Sequence, residues 1–410
     1  MIGNAIIGQS GGPTAAINAT LSGVIRGALQ SADIDKIFGM INGIEGLLDG
    51  KVKILNDIFD NESNLKLLEN TPAAALGSCR LKLPDVNSGL QKDIGTYKKI
   101  FDFLTEKNIK YFFYIGGNDS MDTVKKLNCY AQNHNINIKI VGVPKTIDND
   151  LACTDHSPGY GSAAKYIAAA MQEICHDNAI YDLKSIVITE IMGRDAGWLT
   201  AAAALPRLNG GKSPDLLYLP EVAFSDERFF ADIEREFNKK SDIVIAVSEG
   251  IKYADGRYVC ETCENHKTDI FGHKQLTGTA NRLKYITQGK FNCKVRAIEL
   301  NTLQRCASHM ASLCDIAESI KIGQTAVEAA LAGRTGIMMT FDRISSQPYQ
   351  IAIEYENIED IANKIKPVPL EYINETYNNV TDECLKYIRP LIIGEPEILY
   401  KNGLPMFFVL

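Results

Sequence analysis

Two aspartates and a lysine occupy a short stretch that directly follows an apolar run. Residues 138–143 are mostly apolar and predict a buried strand, which Pro144 ends because proline has no N–H to donate to a neighbouring strand. Lys145, Asp148 and Asp150 come next. Ligands of open α/β sheets bind at loops after the carboxyl ends of strands, where a carboxylate can accept a proton and a lysine can neutralise phosphate charge. The alternative is a polar turn in which Asp148 is the N-cap of a helix.

Two glycine turns have the order strand, turn, helix. Residues 10–14 lie between a predicted strand at residues 2–8 and a helix that apolar spacing predicts over residues 15–29. Residues 116–120 follow a compact apolar strand in the same way. Such turns present backbone N–H groups to an anion and let a ligand approach closely. The first turn lacks the Walker A pattern, and in the second Asp119 repels a phosphate unless a metal or a cation compensates.

The composition indicates a globular protein of two ordinary domains. The chain has 410 residues, of which 45% are hydrophobic and 23% are charged. Its net charge of −7 argues against nucleic acid as a partner, and no apolar run approaches the roughly 20 residues that a membrane span needs. The first residues resemble a strand rather than a signal peptide. Ten cysteines are scattered along the chain, so we expect reduced thiols and a cytoplasmic location.

Predicted strands alternate with helices along most of the chain, which favours doubly wound parallel sheets. Residues 252–292 lose this alternation and predict an exposed excursion. A zinc knuckle is the alternative there, although the second pair of ligands lacks a usual zinc-finger spacing. Its ligands would be Cys260, Cys263, His266 and His273.

Six motifs occur in the order in which they occur in the phosphofructokinases. That family has a glycine pair at its first turn, then G-G-D-G-S, P-G-T-I-D-N-D, M-G-R, P-E and a late Q-R-G-G. The counterparts here are residues 11–14, 116–120, 144–150, 192–194, 220–221 and 304–307. One such motif is weakly specific, but six in order are highly specific. The chain therefore resembles this family from about Ile6 to its last residues.

The resemblance implies a fold and an assembly. The fold would be α/β, with two Rossmann-like, doubly wound domains whose mainly parallel sheets face each other across a cleft. We expect residues 1–155 with roughly 305–345 to form a phosphoryl-donor domain and residues 156–304 a sugar-phosphate domain. Residues 346–410 would be a C-terminal appendage that packs on the second domain. Family members are dimers or tetramers, so a homodimer or homotetramer is implied.

Two differences from the ATP-using pattern point to the pyrophosphate-using branch. Lys145 replaces the glycine of P-G-T-I-D-N-D, and Asp119 replaces the last glycine of G-G-D-G-S. A carboxylate at residue 119 would repel the α-phosphate of ATP, whereas Lys145 would supply a cation beside the transferred phosphoryl group. We expect these two residues also to pair with each other in the absence of substrate.

The resemblance implies roles in phosphoryl transfer from pyrophosphate to the 1-hydroxyl of fructose 6-phosphate. Asp148 would be the general base, and the other catalytic residues would be Lys145, Asp119 and Arg194. The donor would bind at Gly11, Gly12, Gly117, Ser120 and Arg80. The cofactor Mg²⁺ would bind at Asn118 and Asp150. The sugar phosphate would be held by Thr146, Ile147, Asp148, Met192, Gly193, Arg194, Glu221, Arg296, Thr302 and Arg305, with Arg296 supplied by a neighbouring subunit.

Three departures from the family pattern bear on these roles. Many members have a carboxylate in place of Asn118, and a neutral amide is a weaker Mg²⁺ ligand. The histidine expected three residues before Arg305 is Thr302, and Lys184 and Ser185 stand where the ATP-using branch has an arginine. The preferred substrate could therefore drift toward a longer sugar phosphate, such as sedoheptulose 7-phosphate.

Three other functions stay open. The same fold could use ATP, against which Lys145 and Asp119 argue. A catalytically silent regulatory subunit would have no need to keep the base Asp148, the cation Lys145 and the clamp Arg194 together. A dinucleotide-binding oxidoreductase has little support, because no G-x-G-x-x-G follows the first strand in the required form.

Overall fold

The structure is a computed structural model that describes residues 2–87, 90–180, 182–261 and 276–410. Its strands form a larger sheet, a smaller sheet and a short hairpin near the C-terminus. In chain order they are β1 (Gly3–Gln9), β2 (Ile34–Met40), β3 (Val52–Ile54), β4 (Ile109–Gly116), β5 (Lys139–Pro144), β6 (Ser185–Ile191), β7 (Leu216–Tyr218), β8 (Asp242–Ser248), β9 (Lys294–Glu299), β10 (Ile337–Ser346), β11 (Tyr349–Asn357), β12 (Tyr400–Lys401) and β13 (Leu404–Pro405).

Helices form most of the connections between these strands. They are α1 (Ile17–Leu29), α2 (Gly43–Leu48), α3 (Glu62–Glu69), α4 (Gln91–Glu106), α5 (Asn118–Asn133), α6 (Tyr160–Asn178), α7 (Trp198–Ala202), α8 (Asp226–Phe237), α9 (Thr279–Lys290), α10 (Leu303–Cys306), α11 (Leu313–Leu331), α12 (Ile358–Ile361) and α13 (Asp382–Ile388). Within the described part of the chain, no helix combines the length and the apolar character that crossing a membrane would require.

The larger sheet has the strand order β11-β10-β5-β4-β1-β2-β3. Its five inner strands are parallel, and β11 and β3 pair antiparallel at the two edges. Successive side chains of β4 alternate between two cores. Tyr111 and Phe113 pack with α1 and α11, whereas Phe112 and Tyr114 pack with α4 and α5. Because helices cover both faces, β4 is a continuous apolar run rather than an alternating one.

The smaller sheet has the order β7-β8-β6-β9 and is parallel throughout. One of its faces packs against α6, α7 and α13, and the other packs against α8 and α9. Two mainly parallel sheets with helices on both faces confirm the predicted fold class. The carboxyl ends of β1, β4 and β5 in one sheet, and of β6 and β8 in the other, carry most of the predicted site residues.

The C-terminal residues divide between the two halves of the molecule. β11 pairs with β10 in the larger sheet, and the Phe408 ring packs against Phe59 of the same half with centroids 4.9 Å apart. The middle of the segment, including α13, packs in the core of the smaller sheet. The expectation that all of residues 346–410 pack on the second domain is therefore wrong, because β10 turns back as a hairpin instead of leaving its sheet.

Residues 252–292 contain a helix that the sequence pattern missed. α9 packs against the smaller sheet, and its buried residues are Thr279, Ala280, Leu283 and Thr287. Two of the four are threonines, so the apolar period is too weak to predict a helix. Three of the four ligands in the zinc hypothesis, Cys263, His266 and His273, lie outside the described residues, so the hypothesis stays a prediction.

A buried histidine fastens the loop after β5 to the larger half. The His156 side chain is 2% exposed, and its ring stacks on Phe341 of β10 with centroids 4.6 Å apart. Nδ1 lies 2.8 Å from Oδ2 of Asp155, which also pairs with Arg343, and Nε2 lies 2.8 Å from Oε2 of Glu318. Only the imidazolium can donate from both nitrogens. Burial lowers the pKa of His156, but the two carboxylates outweigh burial and the net shift is upward.

We expect His156→Gln to lower the thermal unfolding midpoint and to flatten its dependence on pH. The ion pairs of His156 stabilise the fold fully below the unfolded-state pKa of about 6.5, and this stability is lost as pH rises through the higher folded-state pKa. Breaking a buried charge pair costs about 3 kcal/mol or more. Calorimetry between about pH 6 and pH 9 measures both effects, with the exposed His309→Gln as control. Equal slopes for wild type and His156→Gln would contradict a buried imidazolium.

Candidate active site

The loop that follows β5, residues 145–157, is called the Asp148 loop here. The hydroxyl of Thr146 accepts a hydrogen bond from the backbone N–H of Asp148 at 3.1 Å, which turns the chain sharply. Asn149 has a φ of +54°, in the left-handed region that asparagine tolerates better than most residues. The next helix begins only at Tyr160. Asp148 is therefore not a helix N-cap, and the alternative of a simple capping turn is wrong.

The Asp148 loop holds two half-buried carboxyl groups, those of Asp148 and Asp150. Burial and the charge of Asp150 raise the pKa of Asp148 to about 7, against the opposing effects of Lys145 and Arg194. Burial also raises the pKa of Asp150, although a hydrogen bond from Thr146 favours its charged form. Asp148 therefore changes its protonation near neutral pH, which suits a group that accepts a proton and later returns it.

Lys145 places its amine against the first glycine turn. Its side chain is 3% exposed, and Nζ donates a hydrogen bond to the carbonyl oxygen of Gly12. Burial lowers the pKa of Lys145 to about 8, while Asp148 and Asp150 favour the charged form. A Cβ at Gly11, whose φ is +79°, would lie only 3.4 Å from Nζ. The amine is thus shared between the Asp148 loop and the glycine turn.

Two arginines add positive charge beside this turn. Nη1 of Arg305 lies 3.5 Å from the point that a Cβ on Gly12 would occupy. The charges of Arg305 and Arg80 both disfavour the protonated form of Lys145, so all three cations act on the same region. A concentration of cations in an otherwise acidic chain suits a polyanionic ligand such as a phosphate.

The backbone of the glycine turns is only partly available to an anion. The N–H of Gly11 donates to the carbonyl of Cys79 at 3.3 Å, so it is not free to bind a phosphate as predicted. In the second turn α5 begins directly after Gly117, and the first N–H groups of a helix attract anions. Ser120 is 2% exposed, and its Oγ would lie 2.0 Å from a Cβ on Gly116. Its side chain therefore packs the turn from inside.

Two residues of the second turn have contacts that differ from their predicted roles. Oδ1 of Asn118 accepts the N–H of Asn363 at 2.6 Å, and Nδ2 donates to the carbonyl of Lys364 at 2.8 Å. This amide binds backbone, so its geometry does not support a role as a Mg²⁺ ligand. Asp119 lies in the first turn of α5, where the helix dipole stabilises a carboxylate. It forms no ion pair with Lys145 in the described structure, because the Lys145 amine donates its hydrogen bond to Gly12 in the first glycine turn. The predicted pairing of Asp119 with Lys145 is therefore wrong.

The carboxyl end of β6 brings a second group of residues to the Asp148 loop. Arg194 lies close enough to Asp148 to lower the pKa of that carboxyl group. Gly193 before it has a φ of +135°, and a Cβ there would lie 2.6 Å from the carbonyl oxygen of Ala196, so only glycine fits. The N–H of Met192 is held at 3.0 Å by the side chain of buried Gln304. The M-G-R turn is thus fixed by its backbone, and its arginine faces the carboxylates.

Glu249 joins the site although the sequence analysis did not assign it a role. Its Oε1 lies 3.4 Å from the N–H of Gly193. Burial and the charge of Asp148 raise its pKa to about 8. A protonated carboxyl group can both donate a hydrogen bond to a hydroxyl group and accept one from it. The sequence signal that could have identified Glu249 was the Ser-Glu-Gly stretch after β8, which lies at the same sheet edge as the M-G-R turn.

Two residues that were predicted to contact the sugar have side chains that support the fold instead. Oε1 of Glu221 accepts the N–H groups of Gly197 and Val368, both at 2.8 Å, and so joins two backbone segments. Ile147 is 7% exposed and packs in the core of the smaller sheet, so its side chain does not face a ligand. Both residues adjoin functional motifs, but the structure uses their side chains for packing and for backbone hydrogen bonds.

Arg296 lies apart from the Asp148 loop. It is the third residue of β9, near the amino-terminal edge of the smaller sheet, whereas the site lies at the carboxyl edge. Its guanidinium is 3.4 Å from Asp177 and lines a cavity of about 580 Å³ together with Lys184 and Lys294. Thr302 is exposed beyond the other end of the same strand. The fold therefore separates Arg296 from the other predicted sugar contacts of its own chain.

Comparisons with known proteins agree on one family. The phosphofructokinase family model matches residues 4–330. The chain is 38% identical to the pyrophosphate--fructose 6-phosphate 1-phosphotransferase of Halomonas elongata, across 98% of this chain and 94% of that protein. It is 36% identical to the protein of the same name from Xanthomonas campestris, across 99% and 95%. The crystal structure of pyrophosphate-dependent phosphofructokinase from Nitrosospira multiformis, 34% identical, superimposes with a TM-score of 0.88 over 99% of this chain and 96% of that one. As its six ordered motifs predicted, the chain belongs to the phosphofructokinase family.

Proposed function

We propose that this chain transfers a phosphoryl group from pyrophosphate to the 1-hydroxyl of fructose 6-phosphate. The observation that carries the proposal is the buried Lys145 amine, which lies between Asp148 and the first glycine turn. The names of the Halomonas and Xanthomonas relatives support the same activity. The products are fructose 1,6-bisphosphate and phosphate. Pyrophosphate and a phosphate ester are comparable phosphoryl carriers, so the reaction runs both ways and serves glycolysis and gluconeogenesis.

Asp148 carries the proton in this mechanism. It accepts the proton of the 1-hydroxyl while that oxygen attacks the near phosphorus of pyrophosphate. The new O–P bond forms as the bridging P–O bond breaks, and phosphate leaves. Burial and neighbouring charges hold the pKa of Asp148 at about 7, so the same group can return the proton in the reverse direction.

Cations stabilise the transferring group. Lys145 and Arg80 supply positive charge beside the first glycine turn. Arg305, which the sequence analysis assigned to the sugar phosphate, lies beside the same turn and adds its charge there. Bound Mg²⁺ would neutralise charge on the pyrophosphate oxygens. The carboxyl group of Asp150 would hold this ion, because a carboxylate is a ligand that Mg²⁺ prefers and the charges of Lys366 and Lys145 favour the ionised form of Asp150. Among the described residues no cluster of three acidic, histidine or cysteine side chains accompanies it.

Two residues select the donor. Asp119 places negative charge at the start of α5, where it would repel the α-phosphate of a nucleotide. Lys145 adds a cation, which stabilises pyrophosphate more than ATP because pyrophosphate carries a high charge on few atoms. The two act separately rather than as a pair, since the Lys145 amine binds Gly12. Arg194 and Glu249 face Asp148 from the other half of the site and hold the sugar.

The active assembly is a homodimer or homotetramer. Arg296 lines its cavity at the amino edge of the smaller sheet, so it can serve a site only on a neighbouring subunit. There it would bind the 6-phosphate as a guanidinium fork. We place the reaction in the cytoplasm, where buried free thiols such as Cys79 and Cys384 stay reduced.

We expect Asp148→Ser to lower kcat about 1,000-fold, because the general base is removed from a proton-transfer step. The thermal midpoint should not fall, since the change removes a carboxyl group whose burial disfavours its charge. Steady-state assays with pyrophosphate and fructose 6-phosphate give kcat, and calorimetry gives the midpoint. Asp57→Ser, at an exposed position, is the control. An unchanged kcat would remove Asp148 from the role of base.

The wild type should be active with pyrophosphate and inactive with ATP, and Asp119→Gly combined with Lys145→Gly should reverse the preference. The double variant is expected to lose at least about 100-fold in pyrophosphate-dependent kcat/KM, as one aligned cation contributes that much. Parallel assays with each donor measure the switch. Activity of the wild type with ATP alone would refute both roles. Inactivity with both donors in a folded protein would favour sedoheptulose 7-phosphate as acceptor, and next a regulatory subunit.

Mixing two inactive variants tests whether Arg296 acts across an interface. Arg296→Ala and Asp148→Ser should each be nearly inactive alone. After co-refolding at equal amounts, half of the dimers carry one of each chain, and one site in each mixed dimer is intact. We therefore expect about a quarter of the wild-type activity from a two-fold symmetric assembly. Failure of the mixture to recover activity would place Arg296 in the site of its own chain, and full activity of Arg296→Ala alone would place it outside the site.

A further inference from the structure

The residue that follows the catalytic base closes the Asp148 loop. Asn149 is fully buried, and its backbone is held in the left-handed region. Its Oδ1 accepts the N–H of Ser157 at 3.0 Å, which joins the two ends of the loop. Its Nδ2 donates to the hydroxyl of Tyr387 in α13 at 3.2 Å. The direction in which Asp148 leaves the backbone therefore depends on how firmly Asn149 is held.

A lysine far along the chain reaches this same point. The ammonium group of Lys366 donates to Oδ1 of Asn149 at 3.5 Å, to the carbonyl of Thr154 at 3.0 Å and to the carbonyl of Asp155 at 2.7 Å. These three acceptors use all three protons of the ammonium group. The amine also lies 5.4 Å from the centroid of the Trp198 ring. Lys366 thus binds the start and the end of the Asp148 loop at once.

Residues 363–368, here called the C-terminal strap, are anchored on both halves of the site. At one end Asn118 of the second glycine turn binds two strap backbone groups. In the middle the N–H of Lys366 donates to the carbonyl of Asp150 at 2.8 Å. At the other end Glu221 accepts a strap N–H at 2.8 Å. Two residues that the sequence suggested as ligand contacts are therefore the anchors of this strap.

We propose that Lys366 is a positioning residue for the proposed phosphoryl transfer, acting through the backbone of the Asp148 loop. It touches neither reacting group, because its ammonium protons are all bonded to the loop. Without it, the carbonyl of Thr154 loses its lysine donor, and the carbonyl of Asp155 keeps only the Tyr387 hydroxyl. Asn149 also loses one of the contacts that hold its left-handed backbone. The loop would then sample other conformations and misplace Asp148. The proposal rests on the proposed function only in taking Asp148 as the base.

Lys366→Met is the direct test, because methionine keeps the length and apolar stem of lysine without its donors. We expect kcat to fall about 30-fold, within the range that a misplacement near 1 Å can cause, while KM for both substrates changes less than about threefold. Hydrogen exchange of peptides covering residues 145–157 should become faster. Lys364→Met is the matched control, since that side chain lies on the same strap, is 53% exposed and pairs with Asp360.

Two further variants keep the test decisive if Lys366→Met does not fold. Lys366→Arg retains the cation, and Lys366→Gln retains donors without charge. We expect both to be intermediate between Lys366→Met and wild type in loop exchange, with the arginine variant keeping more kcat. A kcat within threefold of wild type for Lys366→Gln and Lys366→Met, or faster exchange spread over the whole chain, would overturn the proposal. If the wild type is inactive with pyrophosphate, the proposed function fails, but exchange at residues 145–157 still decides the role of Lys366.

Discussion

Two half-buried carboxyl groups lie two residues apart, and much of the surrounding structure offsets their charge. Burial raises the pKa of both Asp148 and Asp150. Lys145 offsets them from within the same loop and Lys366 from the C-terminal strap, and burial lowers the pKa of each of these amines to about 8. Each of the four charges loses hydration in this site, and the opposite charges beside it offset that loss. The fold must therefore bring all four together, from two distant parts of the chain.

This arrangement requires backbone segments to approach closely, and glycine makes the approach possible. A Cβ on Gly250 would lie 1.9 Å from the carbonyl oxygen of Arg194, so the end of β8 can lie against the M-G-R turn only without a side chain. A Cβ on Gly117 would lie 3.4 Å from the carbonyl oxygen of Lys145, an ordinary van der Waals contact, so that approach does not depend on glycine. The end of β8 is thus held against the M-G-R turn by a contact that leaves little room for adjustment. Such rigidity suits a reaction that depends on alignment and charge.

Polar residues near the site divide into those that face a ligand and those that fasten backbone. Asn118 and Glu221 belong to the second group, because segments that cross between the halves carry N–H and C=O groups that need partners. His156 has the same effect through charge, since it joins the Asp148 loop to α11. Glu249 belongs to the first group, because its carboxyl group lies at the M-G-R turn and its charge interacts with Asp148. Residue type alone does not separate these two groups. What separates them is whether backbone N–H and C=O groups nearby need the side chain as a hydrogen-bond partner.

Short-range signals in the sequence determined the α/β class, the glycine turns, the Asp148 loop and the family, because strand, turn and helix patterns and ordered motifs are local properties. The tertiary structure alone decided that β11 joins the larger sheet, that α9 is a helix with threonines inside, and that Asn118 binds the strap. It also decided that Lys366 supports Asn149, a contact across 217 positions of sequence. Such pairings depend on which distant segments share a surface, and no local pattern encodes that. Sequence therefore singled out the candidate groups for the chemistry, and the fold determined what holds them in place.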